Sequence, residues 1–379
     1  MAAPVVGMVG DGQLARMTAQ AAIALDVRLR VLAGSRDSAA AKVATEVTLG
    51  DHDDLDDLRA FAAGCDVLTF DHEHVPTAYL ETLVAEGVVV RPGPHALRFA
   101  QDKVAMRERL TAAGIPTPAW ALVSDLEQLA EFGDRIGWPV IVKTPRGGYD
   151  GRGVRVIREV TDATDWLARG PLLAEAKVEF TRELAVLLAR SPHGQAAVYP
   201  VQQTVQRDGI CREVIVPAPI SEEHALDALR IGLAVAGELD VVGLLAVELF
   251  DTPDGVLVNE LAMRPHNSGH WSIDGAVTSQ FEQHLRAVLD WPLGDTSMRH
   301  PHAVMANVLG GDHPDLHHGY LHAMAHDPAL RIHNYGKKVV PGRKVGHVTV
   351  TGYDPVDLLA RARHAAAFLT GENEGDPHG

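Results

Sequence analysis

The chain has 379 residues, of which 46% are hydrophobic and 22% are charged, a balance typical of a globular protein with two or three domains. Its 50 acidic and 34 basic residues give a net charge of −16, which argues against broad nucleic-acid binding because such binding needs a positive surface. No stretch approaches the ~20 consecutive apolar residues of a membrane span. Cys65 and Cys211 fit no metal or redox spacing, so a cytoplasmic protein with reduced thiols is expected.

In chain order, predicted strands and helices alternate over roughly the first 95 residues. Strands are expected at residues 4–10, 27–33, 66–70 and 88–93, and a tight turn after the first strand opens a helix. This alternation is typical of a parallel sheet with helices packed on its faces.

The turn after the first strand reads GDGQLA, which satisfies the G-x-G-x-x-A pattern of dinucleotide-binding proteins. That pattern also needs an acidic residue at the end of the second strand to bind the ribose. The second strand reads VRLRVLAGSR and has no Asp or Glu there, so NAD binding is not expected. The helix N-terminus behind Gly12 remains suited to a phosphate or carboxylate of another ligand.

From about residue 139 to residue 260 the sequence is rich in strand patterns. The other elements expected after residue 100 are a helix closed by Gly114, helices at 221–237 and 279–291, strands near 304–309 and 346–351, and a closing helix at 355–369. The region beyond residue 95 is therefore predicted to mix strands and helices without strict alternation.

The segment KTPRGGYDGRGV, residues 143–154, follows directly on an apolar strand pattern. Lys143 precedes the glycines, whereas the lysine of a P-loop follows them. A glycine-rich backbone between two strands can close on phosphate oxygens, with the lysine as a point charge beneath them. We interpret the segment as a phosphate-binding flap; the alternative is a hairpin tip that binds nothing.

Glu248 and Glu260 flank the turn TPDG, residues 252–255. Regular antiparallel pairing about residue 254 places the two carboxylates directly opposite each other, with Cβ atoms ~5 Å apart. Like charges at that distance are unfavourable unless a cation lies between them, and carboxylate oxygens are ligands that magnesium prefers. The pair is predicted to bind magnesium on a nucleotide; the alternative is a chance pair on a solvent-facing surface.

Two later segments concentrate polar side chains. RPHNSGHW, residues 264–271, follows a buried strand pattern and reads as a ligand-lining loop. GKKVVPGRKVGH, residues 336–347, holds four cations in an acidic protein, which indicates either a phosphate clamp or a solvated turn. The other histidines show no convincing metal-ligand spacing.

Taken together, these segments resemble the ATP-grasp ligases and, more narrowly, the family of 5-(carboxyamino)imidazole ribonucleotide synthases. The resemblance covers nearly the whole chain. It is carried, in the family's order, by GDGQLARM, KTPRGGYDGRG, EAKVEFTRE, YPVQQTVQRDGI, NELAMRPHNSGHW, SQFEQH and PGRKVGH. It implies an α/β and α+β architecture: an N-terminal parallel α/β domain at 1–97, an ATP-grasp domain at 98–296 with a flexible flap subdomain at about 115–190, and a small β-rich C-terminal domain at 297–379.

The resemblance also implies which residues bind ATP. Arg98 and Lys143 are expected on the phosphates, beneath a flap formed by Gly148, Tyr149, Asp150, Gly151, Arg152 and Gly153. Glu175 and Val178 are expected at the adenine hinge, Glu183 on the ribose, and Gln203 and Asn259 near the nucleotide. Glu248 and Glu260 are the expected ligands of magnesium, with two ions in the site. The family usually has a histidine or a glutamate where this chain has Gln203, so the resemblance supports the role of this residue less strongly.

The second substrate, an aminoimidazole ribonucleotide, has its own implied contacts. These are Gly12, Gln13, Tyr149, Asp150 and Arg152, with Lys337 and Arg343 on its phosphate. Arg264, His266 and Asn267 are expected to line the reacting centre, and the expected catalytic residues are Asp150, Arg264 and His266. The other departures from the family's pattern are Ala15, Ala176, Lys177 and Met263.

The activity implied is the ATP- and bicarbonate-dependent carboxylation of the exocyclic amine of 5-aminoimidazole ribonucleotide through carboxyphosphate, in purine synthesis, by a homodimer. A related ATP-grasp ligase, such as the formate-dependent glycinamide ribonucleotide transformylase, is the first alternative. It would share Lys143, Glu248 and Glu260 but should lack HNSGH and GRKVGH. The second alternative is a non-catalytic nucleotide-sensing module, which the carboxylate pair and the lysine disfavour.

Overall fold

The computed structural model describes residues 2–148, 153–311 and 313–371, and the strands within these ranges form three sheets. The first is a four-stranded parallel sheet in the order β3-β2-β1-β4. Its region comprises β1 (Val5–Val9), α1 (Gln13–Ala24), β2 (Arg28–Ala33), β3 (Glu46–Leu49), α2 (Leu55–Ala62), β4 (Val67–Phe70), α3 (Thr77–Ala85) and α4 (Pro94–Gln101). The predicted parallel α/β region is confirmed.

Two details of this first sheet differ from the sequence-based expectation. The strand predicted at 88–93 is wrong, because that segment makes only an isolated bridge between Leu68 and Val90. Conversely, β3 pairs with β2 at the sheet edge, where all its side chains are partly or fully exposed. An edge strand of this kind has no buried apolar run by which the sequence could reveal it.

The start of α1 is capped by a residue that lies far away in sequence. Gly12 N–H donates a hydrogen bond of 2.6 Å to Asp71 Oδ2, and Ala15 N–H donates to the same oxygen at 3.4 Å. Gly10 has φ +112°, and a Cβ there would lie 2.4 Å from Asp71 Oδ1, so the turn needs glycine. The protein's own carboxylate thus lies at this helix N-terminus, and the binding of a ligand anion there stays a prediction.

The second sheet is antiparallel in the order β5-β8-β6-β7. Its region comprises α5 (Lys103–Ala112), β5 (Trp120–Val123), α6 (Leu126–Ile136), β6 (Val140–Lys143), β7 (Val154–Ile157), α7 (Thr164–Leu167) and β8 (Leu172–Ala176). The predicted glycine flap joins β6 to β7, and Thr144 N–H donates to the carbonyl of Gly153 at its base. Lys103 Nζ holds the base of the flap by donating to the carbonyl of Gly147 at 2.8 Å.

The third sheet is the largest, and its order is β14-β13-β9-β11-β12-β15-β17-β16, with β10 paired to β9. Its region comprises β9 (Arg182–Arg190), β10 (Ala196–Val198), β11 (Gln202–Arg207), β12 (Ile210–Val216), α8 (Glu222–Glu238), β13 (Gly243–Thr252), β14 (Gly255–Ala262), α9 (Ser272–Gly275), α10 (Gln280–Val288), β15 (His302–Leu309), α11 (Tyr320–His326), β16 (Arg331–Asn334), β17 (Lys344–Gly352) and α12 (Pro355–Thr370). Short 3₁₀ turns lie at 160–163, 267–269 and 316–319.

This sheet runs across the predicted boundary at residue 297. Strand β12 pairs with β15, which places Glu213 opposite Ala306. The third sheet therefore belongs to both the central and the C-terminal predicted domains, whose exact edges stay a prediction. Among the described residues, no helix has the length and apolar character needed to cross a membrane.

The capping carboxylate leads to a prediction about pH. Burial raises the pKa of Asp71 to about 6, although the N–H groups of Gly12 and Ala15 oppose the rise. A carboxyl group whose pKa is higher in the folded chain than in the unfolded chain stabilises the fold while it is protonated. This stabilisation is fully present below the unfolded-state pKa of 3.8 and is lost as the pH rises through 6. Relative to Asp71→Asn, the wild-type free energy of unfolding should therefore fall by about 2 kcal/mol between pH 4 and pH 7.

Urea titrations of the two proteins across that pH range measure the difference directly. Parallel stability curves for the wild type and Asp71→Asn would show that the carboxyl titrates at the same pH in the folded and unfolded chains.

Candidate active site

One cavity of about 1620 Å³ lies where the three sheets meet. It receives side chains from the N-terminal region, the flap region, the central strands and the C-terminal segment. The predicted site residues that line it are Gln13, Lys143, Gly148, Glu175, Val178, Glu183, Glu248, Asn259, Glu260, Arg264, His266, Asn267, Lys337 and Arg343. Residues separated by more than 300 positions in sequence therefore share one chamber.

The remaining predicted residues fall elsewhere. Tyr149, Asp150, Gly151 and Arg152 lie outside the described residues. Among the described residues, Gly12 N–H donates its hydrogen bond to Asp71, and Gly153 lies at the base of the flap. Arg98 lines a smaller adjoining pocket instead and lies over the ring of Phe99.

Gln203 also falls outside the cavity lining, for a reason that lies in strand geometry. Successive side chains of a strand point to opposite faces. Thr204 and Gln206 of β11 line the cavity, so Gln203 belongs to the other face of the sheet. Gln206 is therefore the glutamine of this strand that faces the chamber, and the role predicted for Gln203 near the nucleotide stays untested.

A buried ion network holds the lysine beneath the flap. Lys143 Nζ lies 2.8 Å from Glu175 Oε2, and Glu175 Oε1 lies 2.6 Å from Arg107 Nε. Burial would raise the pKa of Glu175, but the charges of Lys143 and Arg107 outweigh it and hold the pKa below its usual range. Glu175 therefore stays ionised and fixes the lysine side chain. The carboxylate points at Lys143, while the adenine-hinge role predicted for Glu175 stays untested.

Arg107 is the member of this network that the sequence did not reveal. Its side chain is fully buried, and its second guanidinium nitrogen donates to the backbone carbonyl of Asn259 at 2.7 Å. In the sequence it lies within an ordinary helical pattern, QDKVAMRERL. A charged residue in such a helix is usually on the solvent side, so no local signal distinguished it.

The predicted opposition of Glu248 and Glu260 is confirmed, but through an irregular ladder. Thr252 pairs with Gly255 at the turn, a register that on its own would place Glu248 opposite Asn259. A β-bulge between Glu248 and Leu249 shifts the register by one residue and brings Glu260 opposite Glu248. Asn259 becomes the unpaired residue, and its Oδ1 accepts a hydrogen bond of 2.9 Å from Lys143 Nζ. The bulge thus joins the acidic pair to the lysine network.

Glu248 of the pair and its neighbour Glu183 have pKa values shifted in opposite directions. Burial would raise the pKa of Glu248, but the hydrogen bond and charge of His266, with help from Lys344 and Arg264, hold it below its usual range. Burial and the neighbouring Glu248 charge raise the pKa of Glu183 to about 7. At neutral pH, Glu248 is therefore ionised, whereas Glu183 is close to its pKa.

His266 is held by its backbone as well as by its ring. Its ring Nε2 lies 3.2 Å from Glu248 Oε1, and Nδ1 lies 2.9 Å from Ser268 Oγ. The fully buried Gln280 accepts from His266 N–H and donates to His266 C=O, both at 2.8 Å. This amide clamp fixes the loop that carries HNSGH, and sequence reasoning missed it because Gln280 opens a separate helix.

The other polar residues of the loop have internal partners too. Arg264 Nε donates to Glu73 Oε2 at 2.8 Å. The amides of Asn267 and Asn307 exchange hydrogen bonds of 2.9 Å and 2.8 Å. Glu73 lines the cavity beside Arg264 and was not singled out from the sequence.

The basic C-terminal segment reaches the N-terminal domain across the cavity. Lys337 Nζ is hydrogen bonded to Gln13 Oε1, and Arg343 and Lys344 line the same wall. A cavity wall built from these cations is suited to an anionic group. On the opposite side, near Val178, the stacked rings of Phe180 and Phe250 lie 4.8 Å apart and offer an apolar surface.

Comparison with known proteins gives the family. Residues 3–101 match the ribonucleotide synthetase preATP-grasp domain, 108–281 the ATP-grasp domain and 303–361 the phosphoribosylaminoimidazole carboxylase C-terminal domain. The N5-carboxyaminoimidazole ribonucleotide synthase of Mycobacterium tuberculosis is 57% identical over 378 residues, which cover 97% of this chain and 88% of that protein. The chain belongs to the N5-carboxyaminoimidazole ribonucleotide synthase family.

Solved structures of this family agree with the fold. An N5-carboxyaminoimidazole ribonucleotide synthetase in complex with ADP is 34% identical, with a TM-score of 0.90 and 98% of each chain covered. The Aspergillus clavatus enzyme in complex with ADP and 5-aminoimidazole ribonucleotide is 32% identical, with a TM-score of 0.88 over 97% of this chain and 99% of that one. The predicted ATP-grasp fold, with its preATP-grasp and C-terminal domains, is confirmed.

The buried network of this family member can be tested at its central carboxylate. Glu175→Gln keeps the size of the side chain but leaves Lys143 and Arg107 without a countercharge. Removing one partner from a buried ion pair costs about 3 kcal/mol or more, so the free energy of unfolding should drop by that amount in urea titrations.

Glu223→Gln, on the exposed side of α8, is the matched control and should leave stability within about 0.5 kcal/mol of the wild type. If the two variants unfold at the same urea concentration, the network contributes nothing to stability.

Proposed function

We propose that the chain uses ATP and bicarbonate to carboxylate the exocyclic amine of 5-aminoimidazole ribonucleotide, with carboxyphosphate as the intermediate. The observation that carries the proposal is the single cavity, which combines a lysine under a glycine flap, an opposed carboxylate pair and a basic wall on the far side. Relatives named for this synthase activity, including one solved with ADP and 5-aminoimidazole ribonucleotide, support the same assignment.

ATP is proposed to lie with its base near Val178 and the phenylalanine pair, and with its phosphates over Lys143. Lys143 is only 6% exposed, and its ammonium is already fixed by Glu175 and Asn259. A charge fixed in this way does not have to reorganise when the phosphates transfer. Glu183, in the same wall, is the proposed partner of the ribose hydroxyls.

The ligand atoms on the acidic side of the cavity are of the kind that magnesium prefers. Glu248 and Glu260 present carboxylate oxygens directly opposite each other, and carboxylates are hard ligands suited to magnesium. These two residues would hold the metal, which supplies charge neutralisation at the phosphate oxygens. The predicted number of ions, two, stays a prediction.

The first step is the attack of a bicarbonate oxygen on the γ-phosphorus of ATP. A new O–P bond forms, the bond from the γ-phosphorus to the bridging oxygen breaks, and ADP leaves with that electron pair. The product, carboxyphosphate, is an anhydride with multiple negative charges. Arg264, which Glu73 orients at 2.8 Å, is the proposed cation for that charge.

In the second step the amine nitrogen attacks the carbonyl carbon of carboxyphosphate, or of CO₂ released from it. In direct attack the C–N bond forms and the C–O bond to phosphate breaks. By way of CO₂, that C–O bond breaks first, and the π electrons of one C=O bond move to oxygen as the C–N bond forms. The amine loses one proton in either case. Both ring nitrogens of His266 have partners in Ser268 and Glu248, which disfavours a free His266 as the acceptor. Asp150, which lies outside the described residues, and the departing phosphate are the proposed acceptors.

The ribonucleotide phosphate is assigned to the basic wall formed by Lys337 and Arg343. With the phosphate there, the imidazole is proposed to lie between that wall and the loop carrying His266 and Asn267. The proposed assembly is a homodimer, as the family resemblance implies, and light scattering after size-exclusion chromatography would test it. A cytoplasmic location stays a prediction from composition.

ADP release from magnesium-ATP in bicarbonate buffer tests the reaction. Addition of 5-aminoimidazole ribonucleotide should stimulate release strongly, whereas glycinamide ribonucleotide with formate should not. Stimulation by the second pair would instead assign the chain to the transformylase alternative. Absence of stimulation by either would leave the ATP-grasp fold without this substrate and favour the nucleotide-sensing module.

Glu260→Gln tests the metal assignment. The change removes one of two opposed charges without altering side-chain size, so turnover should fall by about 100-fold or more, while thermal stability is retained. The stimulated ADP-release assay measures the loss, and Glu223→Gln should keep wild-type turnover. Activity close to wild type in Glu260→Gln would remove Glu260 from the proposed ligands.

A further inference from the structure

Three histidines meet on the outer side of the C-terminal region. His322 and His326 are four residues apart on α11, and His364 lies on α12. One ring nitrogen of each can be chosen so that all three lie within 4.8 Å of one another. None of the three lines the cavity described above, so the cluster, here called the three-histidine cluster, is separate from the proposed active site.

The distances suit a metal ion bound by imidazole. The Nε2 atoms of His322 and His364 are 3.1 Å apart. A tetrahedral zinc ion with Zn–N bonds of 2.0–2.1 Å separates two ligand nitrogens by about 3.3 Å. The ring of His326 lies 5.7 Å from that of His322 and 4.5 Å from that of His364, centroid to centroid. Two nitrogens are therefore already at ligand spacing, and the third needs only a small side-chain adjustment.

The side chains that surround the cluster are compatible with a bound cation. The ring of Phe368 stacks on His322 with centroids 3.7 Å apart. The cations next to His364 in sequence have carboxylate partners elsewhere, since Arg361 pairs with Asp327 and Arg363 with Glu213.

We propose that His322, His326 and His364 bind one divalent transition-metal ion of the zinc type and so fasten α11 to α12. Three imidazoles select zinc and its neighbours over magnesium, which prefers oxygen ligands. His326 is exposed whereas His322 and His364 are half-buried, so the fourth position of a tetrahedral ion faces solvent and takes water. The site does not depend on the proposed carboxylation, because no residue of that chemistry contributes to it.

The spacing H-x-x-x-H of His322 and His326 is the part of this site that sequence can indicate, because residues four apart share a helix face. Among the chain's twenty histidines, this spacing does not stand out. The third ligand comes from a helix that begins 29 residues after α11 ends, and only the packing of α12 on α11 brings it into place.

Cobalt and zinc titrations of the tag-free, chelator-treated full chain test the proposal. Cobalt should give the visible absorption of a low-coordinate imidazole site, and zinc should displace it with one equivalent and raise the melting temperature. Magnesium at the same concentration should do neither. Since loss of a partner outside the coordination sphere already weakens metal binding by about 10-fold to 100-fold, His326→Ala should weaken zinc binding at this site by at least that factor.

His326 is exposed, so its alanine variant is expected to fold normally; His364→Gln provides a second removal, on the other helix. His193→Ala is the matched control, because His193 is exposed and pairs with Asp290 far from the cluster in sequence. The proposal is overturned if the wild type shows no cobalt absorption, or if His326→Ala and His193→Ala bind zinc with the same stoichiometry and affinity. Zinc held by both variants would instead lie at another site, such as the acidic pair in the cavity.

Discussion

The arrangement of the cavity depends on one extra residue in strand β14. Without the bulge at Asn259, the register set at the turn would place that amide, and not Glu260, opposite Glu248. With it, the two carboxylates oppose each other and the displaced amide contacts Lys143. A bulge costs a ladder hydrogen bond and bends the strand, which is why bulges concentrate where a side chain must be redirected. Here it couples the acidic side of the site to the phosphate side.

Three cations of the site have internal partners in this structure. Lys143 contacts Glu175, Arg264 contacts Glu73, and Lys337 contacts Gln13. An anionic substrate must therefore compete with protein acceptors and not only with water. Such competition favours ligands that supply several negative oxygens at once, as a triphosphate or a ribonucleotide phosphate does. It also explains how a chain with a net charge of −16 can bind anions: local geometry, and not overall charge, supplies the attraction.

The large sheet runs continuously from the acidic pair to the C-terminal region. The β12–β15 pairing joins the central strands to the C-terminal region, and the basic segment returns from there to Gln13 in the first domain. The flap region, by contrast, has its own small sheet and is held at its base by Lys103. The acidic pair and the basic wall are therefore connected to the same large sheet, whereas the flap belongs to a separate sheet.

The opposed carboxylates were expected from a regular pairing, but the bulge at Asn259 is what brings Glu260 opposite Glu248. By itself, the sequence determined the parallel first domain, the flap after β6, and the loop and basic segment that line the cavity. Each of these features is indicated by local periodicity or by a short motif. Tertiary structure alone decided the roles of Arg107, Glu73, Asp71 and Gln280, because each acts on a residue at least 14 positions away. Their own neighbourhoods in sequence are ordinary helix or loop. It also decided that Gln206 and not Gln203 faces the chamber, since the register of a strand is set by its partners and not by its own residues.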